Sequence, residues 1–158
     1  MSILQQLTKL VTDQPKTSDP QMTYRVALGA LLTLVAGADG LVTDQERAAK
    51  RMILAQRGFT DPEEQRQILT AGKQALETQL DWHGFTWEIN QTFTYPDRVR
   101  LVQDLFRVAW ADSELAHDEV ETIRKIAALM WVDHKDFIQA KLDAKIQALN
   151  QQDSKHTS

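Results

Sequence analysis

Cysteine is absent from this 158-residue chain. That excludes disulfide staples, thiolate metal sites and thiol nucleophiles. Glycine and proline are scarce, at six and four, and no segment alternates apolar and polar residues with the period of two that a half-buried strand requires. No run of lysine and arginine provides the concentrated basic face that phosphate binding needs, and the net charge is −4. Nucleic acid is therefore not an expected partner. The longest apolar stretch, Val26 to Ala38, falls short of the roughly 20 residues that cross a bilayer. The N-terminal Met1-Ser2-Ile3-Leu4-Gln5-Gln6 lacks the basic and apolar regions of a signal peptide. These absences lead to the expectation of a soluble, cytoplasmic chain with no transmembrane segment. Serine-nucleophile elbows, phosphate-binding glycine loops and dinucleotide fingerprints are missing as well, so the chain is read as non-enzymatic.

What is present is helical pattern. With 42% hydrophobic and 25% charged residues the composition is that of a globular domain, and start and stop signals predict about seven helices. Residues 1–19 read as an N-terminal segment and linker, with an amphipathic piece from Ile3 to Val11 followed by a polar stretch carrying Pro15. Residues 20–149 form the helical domain. Pro20 suits the first turn of a helix that runs to about Ala36. Thr43 with Glu46 has the spacing of a capping box, and Gly58 stops the helix they open. Thr60-Asp61-Pro62-Glu63 starts the next helix, Phe85 to Phe93 is a short one, and Thr94-Tyr95-Pro96 starts another with Val102, Leu105 and Ala109 on one face. Val120, Ile123, Ala127 and Met130 mark a further apolar face, and the last helix carries Ile138, Leu142, Ile146 and Leu149. The polar residues 150–158 read as a flexible tail. The expected class is all-α, a compact bundle with two pseudo-symmetric halves.

The halves are suggested by a duplicated motif. Val35 to Glu46 matches Val108 to Glu119 at a constant offset of 73 residues. In each copy an Ala-Asp pair is followed by a small residue, an apolar residue stands three past the Asp, and a Glu stands seven past it. This spacing reproduces the second half of an EF-hand calcium loop. The first half is missing, because Val35 and Gly37, like Val108 and Trp110, stand where the first acidic ligands belong. A cation bound here would draw on both copies, or on backbone carbonyls and water.

Glu46 is accounted for by the Thr43 cap alone, and Glu119 is favoured by the helix dipole. Asp39 and Asp112 follow helix C-termini, where a negative charge is unfavourable by about 0.3–1 kcal/mol. Each needs loop N–H donors in an Asx turn, a basic side chain such as Arg47, or a cation. All three remain open.

At these residues the chain resembles the TerB-like family, the tellurite-resistance group that also includes the N-terminal domain of the DjlA co-chaperone. The resemblance covers roughly Thr23 to Leu149, and its specific part is the two loops. It implies an all-α bundle of two halves whose acidic loops hold a divalent cation such as Ca2+, with a role in tellurite resistance, stress response or protein interaction. Carried over position by position, the metal candidates are Asp39, Glu46, Asp112 and Glu119. Ser113 replaces the second glycine, and Leu41 and Thr43 stand where the family commonly has acidic residues. The second copy, which adds Glu114 and Asp118, is the better equipped.

Of the four histidines only His117 lies in an acidic loop, and it reads more simply as a first-turn residue of the following helix. Trp82, Phe85, Trp87, Phe93 and Tyr95 cluster near the centre of the chain. They read as core where the halves meet. The alternative is an exposed patch serving a metal-free module that binds a protein partner.

Overall fold

The computed structural model describes residues 23–36, 43–78, 82–111 and 117–156, and the side chains of all of these except 117, 118 and 151–156. Among the described residues there are seven helices and no strand: α1 Tyr24–Ala36, α2 Asp44–Gln56, α3 Pro62–Thr78, α4 His83–Thr92, α5 Tyr95–Ala109, α6 His117–Leu129 and α7 His134–His156. The all-α expectation holds. The expected helix start at Pro20 lies outside the described residues.

Local chemistry sets most of the observed starts. The Thr43 hydroxyl accepts the Glu46 N–H at 3.1 Å, and at Thr94 a full capping box forms with Asp97. Pro62 opens α3, with Asp61 accepting from the Glu63 N–H at 3.3 Å. After Leu149 no glycine or proline interrupts the chain, and α7 continues to His156, beyond the end that its polar composition suggested.

The bundle is organised on α1. Leu28, Leu31, Leu32 and Val35 are fully buried, and α1 packs on α3, α4, α5, α6 and α2. Its closest neighbour is α3. A Cβ on Gly29 would lie 2.4 Å from the Ile68 carbonyl oxygen, and one on Gly72 would lie 2.3 Å from the Ala30 nitrogen, so these backbones meet where only hydrogen fits. The second centre is α5, whose Leu101, Leu105, Phe106 and Val108 are fully buried. It packs on α7, α1, α6 and α2. Phe106 meets Phe137 of α7 with ring centroids 5.4 Å apart.

One buried polar contact ties the end of α2 to α5. Asp104 accepts from Arg57 Nη2 at 2.7 Å and from Arg107 Nη1 at 3.4 Å, and Arg107 also reaches Gln56 Oε1 at 3.1 Å.

The offset of 73 residues recurs in the backbone. Ala36 and Ala109 end α1 and α5, Asp44 and His117 begin α2 and α6, and Gln56 and Leu129 end them. Each end closes in the same way. The Phe59 N–H bonds to the Leu54 carbonyl and the Gly58 N–H to that of Ala55; the Val132 N–H bonds to Ala127 and the Trp131 N–H to Ala128, all at 3.0–3.1 Å. This is a Schellman turn. The residue that must take positive φ is Gly58 (φ 98°) in the first and Trp131 (φ 56°) in the second.

One apolar assignment changes. Ile138, Leu142, Ile146 and Leu149 do not face the core; α7 buries Phe137, Ala140 and Ala144 instead. Trp131, just past the end of α6, is exposed. The central aromatics are largely core: Phe85 is fully buried and Trp82 and Phe93 pack against the core half-buried, while Trp87 and Tyr95 are also half-buried. They form no exposed patch.

The glutamates beside the two loops

The aspartates on which the metal reading depends, Asp39 and Asp112, lie outside the described residues, and so does Glu114. The glutamates are described. Glu46 is the third residue of α2 and Glu119 the third of α6, and both are turned inward, at 2% and 3% exposure. Both helices rest on α1 and α5. A carboxylate taken out of water this completely requires compensation by donors or charge, or it gives up its ionisation. The helix N-terminus supplies part of that in both places.

The rest differs. Thr43 donates its hydroxyl to Glu46 Oε1 at 3.3 Å, and one turn along α2 stands Lys50, itself buried. Burial pushes the Lys50 ammonium below its ordinary value, and attraction to the Glu46 carboxylate works against that shift. Around Glu119 the corresponding positions hold Ala116 and Ile123, the latter fully buried. Thus the two glutamates share a position on their helices, while the residues three before and four after them differ in type. Arg47, considered as a partner for Asp39, pairs with Asp44 at 3.0 Å. His117 is the first residue of α6. Among the described residues no three histidine or carboxylate side chains come together as a metal cage.

Lys50 escaped the sequence reading, although its place four residues after Glu46 on the inward face was a usable signal. Trp131 escaped it too, although the offset of 73 aligns it with the glycine that ends the matching helix.

Among the described residues no helix is long and apolar enough to cross a membrane. Neither curated proteins nor solved structures gave a match to the chain. The family model of the tellurite resistance protein TerB does match, over residues 25–142, a span that runs from α1 into α7 and includes both loops. The chain belongs to the TerB family.

Proposed function

We propose that this protein is a non-enzymatic cytoplasmic member of its family that binds a divalent cation at its acidic loops and acts in tellurite resistance or a related stress response. The loops and their helices are read as two copies of one unit. Asp39 and Asp112 are the principal ligands, with Glu46 and Glu119 approaching from the helices. The two loops contribute unequally. The observation that carries this reading is that Glu46 and Glu119, each the third residue of the helix after an acidic loop, are both turned inward at 2% and 3% exposure. A cation in the second loop is held by Asp112, Glu119 and the neighbouring Glu114 and Asp118, the copy richer in carboxylates. An oxygen-only ligand set favours a hard cation such as Ca2+ or Mg2+.

Calorimetric titration of the full chain with calcium, magnesium, manganese and zinc tests this. Binding of calcium or magnesium is expected, weakened at least tenfold by Glu119→Gln and far less by Glu46→Gln. Silence from all four ions at millimolar concentration would sink the proposal.

A second reading, a metal-free module for protein partners, draws support from Trp131. It is 70% exposed and occupies a left-handed conformation that costs a bulky side chain about 1–2 kcal/mol. Surrounding side chains brace it. Asn90 donates to the Leu129 carbonyl at 3.1 Å and Arg98 to that of Met130 at 3.0 Å. The Tyr95 hydroxyl accepts from the Asp133 N–H at 3.1 Å and donates to Asp136. A rigidly presented indole is the kind of anchor that interfaces use.

A further inference from the structure

Among the described residues six large apolar side chains are exposed, and four of them lie on α7: Ile138, Leu142, Ile146 and Leu149, at 38%, 49%, 55% and 52%. Scattered singly, they would need no explanation. They are not scattered. From Ile138 to Leu149 is 149 − 138 = 11 residues, about three turns, so the four draw a stripe about 16 Å long that runs almost straight along the helix. At about 100° per residue the stripe centres on Leu142, on the side of α7 opposite the buried Phe137, Ala140 and Ala144. The described bundle therefore lies behind the stripe and not across it.

The two edges of the stripe carry opposite charge. Lys141 and Lys145 stand on one side of Leu142, and Asp136 and Asp143 on the other. On the basic edge Lys145 reaches over the Trp110 ring, with Nζ 6.0 Å from its centroid. On the acidic edge Asp143 accepts from Gln139 at 2.9 Å.

This order of charge distinguishes the ways of covering the stripe. In an antiparallel pair of such helices each edge meets its own kind, lysine against lysine and aspartate against aspartate. In a parallel pair about a twofold axis each acidic edge meets the basic edge of the other copy, and the stripes pack residue for residue. An anionic lipid surface would attract the lysines and repel the aspartates beside the same stripe. Only the parallel pair satisfies both edges. The stripe exposes on the order of 400 Å², half of the roughly 800 Å² that each partner buries in a standard interface. With its charged edges it reaches the low end of specific interfaces, which makes the association weak and reversible.

We propose that the protein forms a homodimer through parallel packing of α7 on α7. Ile138, Leu142, Ile146 and Leu149 form the seam, and Asp143 of each copy lies beside Lys141 and Lys145 of the other.

Sedimentation equilibrium of the full chain, from low micromolar to near millimolar concentration, reads this directly. A reversible monomer–dimer equilibrium is expected. Leu142→Lys should weaken it at least tenfold and leave the thermal melt of the dilute monomer unchanged, because Leu142 lies outside the core. Asp143→Lys should weaken it about as much, and adding Lys141→Asp and Lys145→Asp should restore most of the loss. In an antiparallel pair Asp143→Lys only exchanges one pair of like charges for another, so unchanged affinity overturns the proposal. The chain has no cysteine, which allows a second measurement. Ile138→Cys, Leu142→Cys and Ile146→Cys, each alone, should oxidise to a disulfide-linked dimer, since each meets its own copy across the seam. Cross-linking at only one of the three is the signature of an antiparallel pair and overturns the proposal. A monomer at every concentration overturns it too, whether the stripe then binds anionic vesicles or another part of the chain.

Discussion

The pair α1–α2 and the pair α5–α6 have helix ends 73 residues apart and matching Schellman turns, and the residues packed around them differ. Around the first, α1 and α3 touch backbone to backbone through Gly29 and Gly72. Around the second, the positions 73 residues on are Val102 and Lys145, and α5 meets α7 through the rings of Phe106 and Phe137. The inward glutamates differ in a parallel way, Glu46 being accompanied by Lys50 and Glu119 by Ile123. A helical frame thus tolerates a change from glycine contact to aromatic contact, and from an internal ammonium to a hydrocarbon, without losing its helix ends or its Schellman turns. Turns and caps specify the plan; the fillings specify what each segment can hold.

The largest expected effect comes from closing the glycine contact. Gly72→Ala places a methyl carbon 2.3 Å from the backbone of Ala30 and Gly29. No side-chain rotation relieves that overlap, and α1 and α3 must separate. Destabilisation of about 3 kcal/mol is expected in denaturant unfolding. A loss under about 0.5 kcal/mol would show that the contact is looser than described.

Next comes the glutamate pair. Lys50→Ile gives the first segment the residue of the second and removes the buried ammonium beside Glu46. About 2–3 kcal/mol should be lost in the absence of divalent ions, because a buried carboxylate is left with less compensation. Millimolar calcium should return part of it. Equal thermal shifts with and without calcium would show that no cation compensates Glu46 in place of the ammonium.

The smallest effect has the opposite sign. Trp131→Gly makes the second Schellman turn like the first and relieves the left-handed tryptophan, so a gain of about 0.5–1 kcal/mol is expected. If the variant is less stable instead, the indole contributes packing that outweighs its strain.

The plan was legible in the sequence because it is written in local chemistry. Thr43, Thr94 and the Asp61-Pro62 pair announce helix starts within four residues of themselves, and Gly58 announces a stop. The inward glutamates were legible as a spacing. The fillings were not, for physical reasons. Periodicity identifies Ile138, Leu142, Ile146 and Leu149 as a stripe, yet Phe137, Ala140 and Ala144 form another on the same helix. Which of the two turns inward depends on the fit of Phe137 against Phe106, a contact between residues far apart in the chain. Lys50 reads as a solvated surface residue unless Glu46 is known to be buried beneath the same helix face. Trp131 shows that the glycine rule for left-handed turns can be overridden by bracing from Asn90, Arg98 and Tyr95, none of which is a sequence neighbour.

The carboxylate of Asp104 belongs to both segments at once, since Arg57 comes from the end of α2 and Arg107 from its own helix. If α2 swung away, Asp104 would lose its shortest contact in a low-dielectric interior; if α5 left, Arg57 would lose its partner. Neither segment can open cheaply while the other stays closed. The domain is therefore latched as a single cooperative unit, and amides deep in α1 and α5 should report one shared opening free energy rather than two.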